Sequence, residues 1–256
     1  MPADERSPTS RRVSGWRPGS GATLEAAADA LTTGEVTVEG RLPWSSNLTF
    51  LVGVEADGCG ELFAVYKPGN GERTLWDFPD QLYRREVAAY ALSEALGWGL
   101  VPPTVERVDA PFGPGSLQLF VDVDYAQHYF TLLDAGGCEP LLEKVCAFDV
   151  VANNADRKSG HVLLGREGRI WAIDHGLCFH RQHKLRTVIW DFAGCEVPPR
   201  LREDLDHVRS GLPEVLAGLL AEEEIDAVEA RITSLLRAGA FPEPLGDRPP
   251  YPWPLV

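Results

Sequence analysis

Residues Phe148–Leu164 read FDVVANNADRKSGHVLL. Two asparagines, an aspartate, two cations and a histidine stand between two apolar runs. FDVV closes a predicted helix, EPLLEKVCAFDVVANN, whose Leu141, Leu142, Val145, Phe148 and Val151 share one face. Asn153 and Asn154 suit the end of that helix. HVLL starts a short strand. Asp156 therefore sits on a loop between helix and strand. Read alone, it is either a turn-stabilising carboxylate or one placed to orient a hydroxyl and take its proton.

Downstream, HVLLG and IWAIDHG form two short strands about the turn REGR. A hairpin of that size returns the chain to near its start, so Asp156 and Asp174 are expected to face one cleft. Asp174 ends an apolar strand, with Gly176 two residues on. That placement suits a divalent-metal ligand, and it also suits an ordinary turn.

Upstream, LTFLVGVEADGCGELFAVYKP reads as a hairpin about Asp57–Gly60, with Lys67 at the end of its second strand. A helix follows in FPDQLYRREVAAYALSEALGWG, with Asp80 expected as N-cap. Leu82, Val87, Ala91, Leu92 and Leu96 form its apolar stripe. Glu86 lies on this helix. A strand lysine paired with a helix carboxylate would be held ready for a phosphate oxygen. The competing reading is a snorkelling lysine and a solvated glutamate. VPPTVERV and SLQLFVDV read as further strands, and the chain after Trp190 is mostly helical.

The 256 residues carry 24 Lys+Arg against 38 Asp+Glu, a formal net charge of −14. That balance works against nucleic-acid binding and against polybasic membrane binding. No apolar run approaches the roughly 20 residues of a membrane span, so no integral membrane association is expected. Five cysteines without CxxC spacing read as reduced thiols, and so as a cytoplasmic setting. His161, His175, His180 and His183 lie close in sequence, but lack the HExxH spacing of a zinc hydrolase.

The ordered set resembles the kinase superfamily, and most of all its atypical branch, the phosphatidylinositol 3-/4-kinases and HipA-type kinases. It is also similar to an actinobacterial family related to the phosphatidylinositol 3-/4-kinases. The resemblance covers about residues 40 to 195. NNADRKSGHVLL is similar to the branch's N-x-D-R-x-x-x-N catalytic loop, and AIDHG to its metal-binding Asp-x-Gly. VYKP resembles the ATP-lysine strand, and YRREVAAYAL the helix with the paired glutamate.

The resemblance implies an α+β, bilobal protein-kinase-like fold. Residues 22–122 would be a β-rich, nucleotide-binding N-lobe with one long helix, preceded by residues 1–21, whose Ser-, Arg-, Pro- and Gly-rich composition reads as a disordered N-terminal segment. Residues 123–240 would be a helical C-lobe, and 241–256 a proline-rich tail. Lys67 would bind the ATP phosphates, held by Glu86. Asp156 would be the catalytic carboxylate, supported by Arg157. Asp174 would bind Mg²⁺. Ser45, Ser46 and Asn47 would cover the phosphates, and Gln118 to Val121, with Phe120, would meet the adenine.

One position departs from the pattern. His161 stands where the branch has the asparagine that binds a second metal, and imidazole suits Mg²⁺ poorly. The expected activity is phosphate transfer from Mg-ATP to an unidentified protein or small-molecule acceptor. The alternative is a nucleotide-binding pseudokinase that acts as a regulatory module.

Overall fold

The computed structural model describes residues 13–17, 22–43, 47–166, 168–244 and 250–256. Ser45 and Ser46 lie outside the described residues.

Helix α1 (Leu24–Thr33) opens with Thr23 as N-cap, its hydroxyl accepting from the Ala26 N–H at 3.1 Å. Then come β1 (Glu35–Arg41), β2 (Phe50–Ala56), β3 (Gly60–Pro68), helix α2 (Tyr83–Ala95), β4 (Thr104–Arg107) and β5 (Gly115–Leu119). The strands form one antiparallel sheet in the order β1-β2-β3-β5-β4. Its alternation is legible in β3. Ala64 and Tyr66 are buried against α1, whereas Val65 and Lys67 face the other way and are half-buried.

Helix α2 departs from its expected start. Asp80 does not cap it. Gln81 takes φ 68, and the helix begins at Tyr83 without a local side-chain cap. Glu72 reaches back instead and accepts from the N–H groups of Leu82 at 2.8 Å and Tyr83 at 2.7 Å. Two of the four free donors at the helix end are thereby satisfied from a distant loop. The stripe also shifts. Val87 and Ala91 are only half-buried, and Ala88 and Ala89 are buried beside Leu92 and Leu96.

The second half holds β6 (Val123–His128), α3 (Tyr129–Ala135), α4 (Glu139–Ala152), β7 (Val162–Gly165), β8 (Ile170–Ala172), α5 (Pro199–Arg209), α6 (Leu212–Leu216) and α7 (Glu222–Ala238). Strands β6, β7 and β8 form a small antiparallel sheet. Leu142, Val145, Phe148 and Val151 of α4 are fully buried. SLQLFVDV is not one strand. It breaks at Phe120–Asp122, between β5 and β6. The leader expected to be disordered is partly held, because Trp16 is buried against this break.

Two apolar cores result. One joins the large sheet to α1. The other joins the helices of the second half to Ala88, Ala89, Leu92 and Leu96 of α2. Helix α2 also packs against β4 and β5, so it touches the large sheet as well as the helical core. Arg85 reinforces the helical contact. Its buried guanidinium pairs with Glu224 at the start of α7 and donates to the Cys178 carbonyl. No helix among the described residues is long and apolar enough to cross a membrane.

Removing one partner of a buried ion pair strands the other charge, at a cost of about 3 kcal/mol or more. Glu224→Ala is expected to lose that much in urea unfolding, and Arg85→Met with Glu224→Met to regain most of it. A loss below about 1 kcal/mol for Glu224→Ala contradicts the bridge.

Candidate active site

Lys67 is carried to the cleft by the alternation of β3. Its ammonium pairs with Glu86 and lies 2.9 Å from Asp174 Oδ1. Burial opposes the positive charge. The carboxylates of Asp174 and Glu86 outweigh it and raise the Lys67 pKa above its ordinary value. Glu86 is only 2% exposed and uses both oxygens. One takes Lys67, and the other accepts from the His175 N–H at 2.9 Å. A single carboxylate thereby joins β3, α2 and the turn that carries Asp174.

Asp174 sits at φ 62, a left-handed conformation that few side chains other than Asn and Asp adopt readily. Its carboxylate is about half exposed and projects into the cleft. The Lys67 ammonium holds its pKa well below the usual carboxylate range, against the opposing effect of burial.

The catalytic-loop expectation meets a well-anchored segment. Asn153 ends α4 in the left-handed conformation, φ 53. Its amide donates to the His180 and Gln182 carbonyls at 2.8 and 2.7 Å, and its oxygen accepts from the Lys184 N–H at 2.8 Å. The Asn154 side chain accepts from the Asp156 N–H at 2.9 Å and donates to Asp149 at 3.1 Å. Asp156 receives the Lys158 ammonium at 2.6 Å. Burial raises its pKa, Lys158 resists, and the charge of Asp174 adds to the rise.

Arg157 is turned away from the cleft and fully buried. Its Nε donates to both Asp149 oxygens, at 3.1 and 2.9 Å, and its Nη2 donates to Asp149 at 2.9 Å. Nη1 holds the Ile173 carbonyl at 2.7 Å, and Nη2 lies 2.8 Å from His175 Nε2. A guanidinium has only donors, so His175 Nε2 accepts and the ring is neutral. Burial, then Arg157, pushes the His175 pKa well below its ordinary value.

His161 Nε2 lies 3.4 Å from Asp174 Oδ2. Asp174 offers hard oxygen ligands that fit Mg²⁺, whereas a neutral imidazole beside it fits Mn²⁺ better. These two side chains could supply part of a divalent cation's shell, the rest falling to ligand oxygens and water.

Other expected residues are placed differently. Gln118 lies within the sheet, paired with Val65 and Thr104, and its amide donates to Thr104 Oγ1 at 2.9 Å. Phe120 is on the linker, but its carbonyl already accepts from the Trp16 N–H at 2.7 Å. Asn47 Oδ1 accepts from the Arg73 N–H at 3.1 Å. The clustered histidines do not meet: among the described residues no group of three or more His, Cys, Asp or Glu is close enough to hold a metal. Asp149, Asn154 as an anchor and Lys158 were missed as site residues. The signal for Asp149 was present, as one acid inside the apolar run AFDVV.

His161 gives this site a pH signature. Burial, with Arg157, Lys158 and Lys67, pushes its pKa down to about 4, against the pull of Asp174. An unfolded histidine titrates near about 6.5. Between those values the unfolded chain binds protons that the folded chain does not, as it also does at His175. Stability present above about pH 6.5 is therefore lost as pH falls toward 4. Asp156 acts in the opposite sense, but from the lower range of a carboxylate. Melting temperature is expected to fall across this window, and His161→Asn to flatten part of the slope. A melting temperature that rises on acidification contradicts this.

The chain and its fold have counterparts among known proteins. The chain is 40% identical to Protein Rv2133c of Mycobacterium tuberculosis over 264 residues, 88% of this chain and 93% of that protein. It is 28% identical to phosphatidylinositol 4-kinase gamma 3 of Arabidopsis thaliana over 170 residues, which span 51% of this chain and 28% of the plant protein. Among solved structures, Golgi casein kinase with Mn/ADP bound superposes over 84% of this chain and 75% of its own, with TM-score 0.56 and 14% identity. Hydra Fam20 with sugar superposes over 84% and 87%, with TM-score 0.58 and 13% identity. No protein-family model matches the chain. The fold is α+β and kinase-like, and the chain belongs to the family of the mycobacterial Protein Rv2133c.

Proposed function

We propose that the chain is an ATP-dependent phosphotransferase of the atypical, phosphatidylinositol 3-/4-kinase-like and HipA-like type. The observation that carries this is the Glu86 carboxylate, which ties Lys67 to the Asp174–His175 turn beside Asp156. Kinase-like neighbours of the fold, one solved with Mn/ADP, support the reading.

Bound Mg-ATP, or Mn-ATP, supplies the γ-phosphoryl group and a cation that offsets its charge. Lys67 faces the triphosphate oxygens, held by Glu86. Asp174 and His161 would hold the cation, with phosphate oxygens completing its shell. Asp156, with its pKa raised, takes the proton of the acceptor hydroxyl as its oxygen forms the new bond to phosphorus and ADP departs. Lys158 steadies the Asp156 carboxylate and the incoming charge. Arg157 works from below, fixing the loop to Asp149. Arg186 is exposed and close enough to act electrostatically on Asp156, so it is placed to meet an anionic acceptor.

The net charge of −14 disfavours an anionic lipid surface, and a soluble acceptor in the cytoplasm fits the chain better. A second reading, nucleotide binding without transfer, is favoured by one observation: His161 occupies the place of the metal-binding asparagine.

Turnover of labelled ATP in cell extract separates the two. Transfer predicts that Asp156→Asn lowers turnover by about 10²- to 10⁴-fold while ATP affinity stays within a few-fold. Equal label incorporation by Asp156→Asn removes the catalytic assignment. If neither protein turns over ATP but both bind it, the second reading stands.

A further inference from the structure

The linker between the lobes is engaged by the chain's own N-terminal segment. Trp16 lies alongside Val121 as a parallel bridge. The Trp16 N–H donates to the Phe120 carbonyl at 2.7 Å, and the Asp122 N–H donates to the Trp16 carbonyl at 2.8 Å. Extended segments commonly dock on exposed strand edges in this way.

The side of the linker is what matters. The Phe120 N–H donates to the Phe63 carbonyl of β3 at 2.9 Å. In extended chain the N–H and C=O of one residue point the same way, and those of the residue two along point with them. Phe120 O and Asp122 N therefore face the β3 side. Phe63, Val65 and Lys67 alternate onto one face of β3, and Phe63 to Lys67 spans roughly 13 Å. A nucleotide with its phosphates at Lys67 brings its base to this part of the linker.

The main chain of Trp16 takes these linker groups, and its side chain anchors the segment from the linker to the β7–β8 hairpin. Trp16 is 8% exposed and meets Trp171 edge to face, with centroids 6.5 Å apart. Trp171 pairs with Leu163 across β7 and β8, and both share an apolar cluster with Trp16 and Val121. Their neighbours Val162 and Ala172 point the other way, into the helical core. Trp16 thus rests on the side of that hairpin turned away from the helical core, in the cluster that also holds Leu119 and Ala64. Its Nε1 donates to the Ala22 carbonyl at 2.9 Å, which ties the segment back toward α1. Gly15 permits the close approach: a Cβ there would lie 2.4 Å from Asp122 N and 2.5 Å from Val121 C.

We propose that Ser14–Arg17 is an intramolecular ligand of the base-binding edge. It holds the two main-chain groups that a purine would use, lays a bicyclic aromatic ring over Trp171, and leaves when the base of ATP seats. The inference rests on reading the cleft as a nucleotide site. The structure is then the self-occluded state. A competent state populated at roughly 1–10% weakens apparent affinity by about 10- to 100-fold.

Gly15→Val drives a side chain into the linker, and Trp16→Ala removes the buried ring. Calorimetric titration with Mg-ATP is expected to give each variant about tenfold or greater tightening over the wild-type chain. Amide exchange supplies a readout without nucleotide. The Asp122 amide is expected to be protected in the wild type, exposed in both variants, and protected again when they bind Mg-ATP. Equal or weaker finite affinity in variants that melt cooperatively overturns the strap and leaves the nucleotide reading standing. So does an Asp122 amide that exchanges freely in the wild type. No Mg-ATP binding by any of the three proteins removes the nucleotide reading, and the inference with it.

Discussion

The arrangement of this molecule depends on one buried carboxylate. Glu86 is almost fully removed from water, and a lone carboxylate there would be strongly disfavoured. Its two oxygens are satisfied by two different parts of the chain, the Lys67 ammonium and the His175 N–H. Strand β3, helix α2 and the turn after β8 are therefore set by the same group. Moving any one of them leaves a buried charge or a buried donor without its partner. That requirement places Lys67 against Asp174, and it holds α2 at the lobe boundary, where Arg85 adds a second buried pair.

A second buried charge fixes the floor of the cleft. Arg157 meets Asp149, the Ile173 carbonyl and His175 from below. These contacts reach both sides of the turn that bears Asp174. Glu86 grips the same turn from above. Asp174 adopts its left-handed conformation between these two anchors, with its carboxylate directed to the cleft. The residues available for chemistry, Lys67, Asp156, Lys158, His161 and Asp174, stand on elements whose own hydrogen bonds lie elsewhere. Such a site is organised before any ligand arrives.

Much of this was readable from residue order. Alternation in FLVGVEA and GELFAVYKP gives the hairpin and directs Lys67 away from the core that buries Ala64 and Tyr66. The polar run after AFDVV marks the loop, because asparagines end helices and apolar residues resume at HVLL. What escaped the reading came from contacts distant in the chain. Glu72 caps α2 across a loop that carries no periodic signal, so Asp80 looked like the cap. Gln118 was read as linker because SLQLFVDV keeps a strand-like pattern to its end, and periodicity does not show where such a run leaves the sheet. Trp16 lay in a Ser-, Arg-, Pro- and Gly-rich leader, a composition that signals disorder, yet one glycine and one indole suffice to dock it.

Under the proposed function, Lys67, Asp156 and Lys158 line one phosphate-binding cleft. The chain has four lysines, Lys67, Lys144, Lys158 and Lys184. An acyl phosphate of ATP transfers its acyl group to lysines beside the terminal phosphates, and peptide mapping locates the product. The account predicts labelling at Lys67, with Lys158 the only other acceptor, and suppression of both by excess Mg-ATP. Labelling centred on Lys144 and Lys184, or labelling of Lys67 that excess Mg-ATP does not suppress, would contradict it.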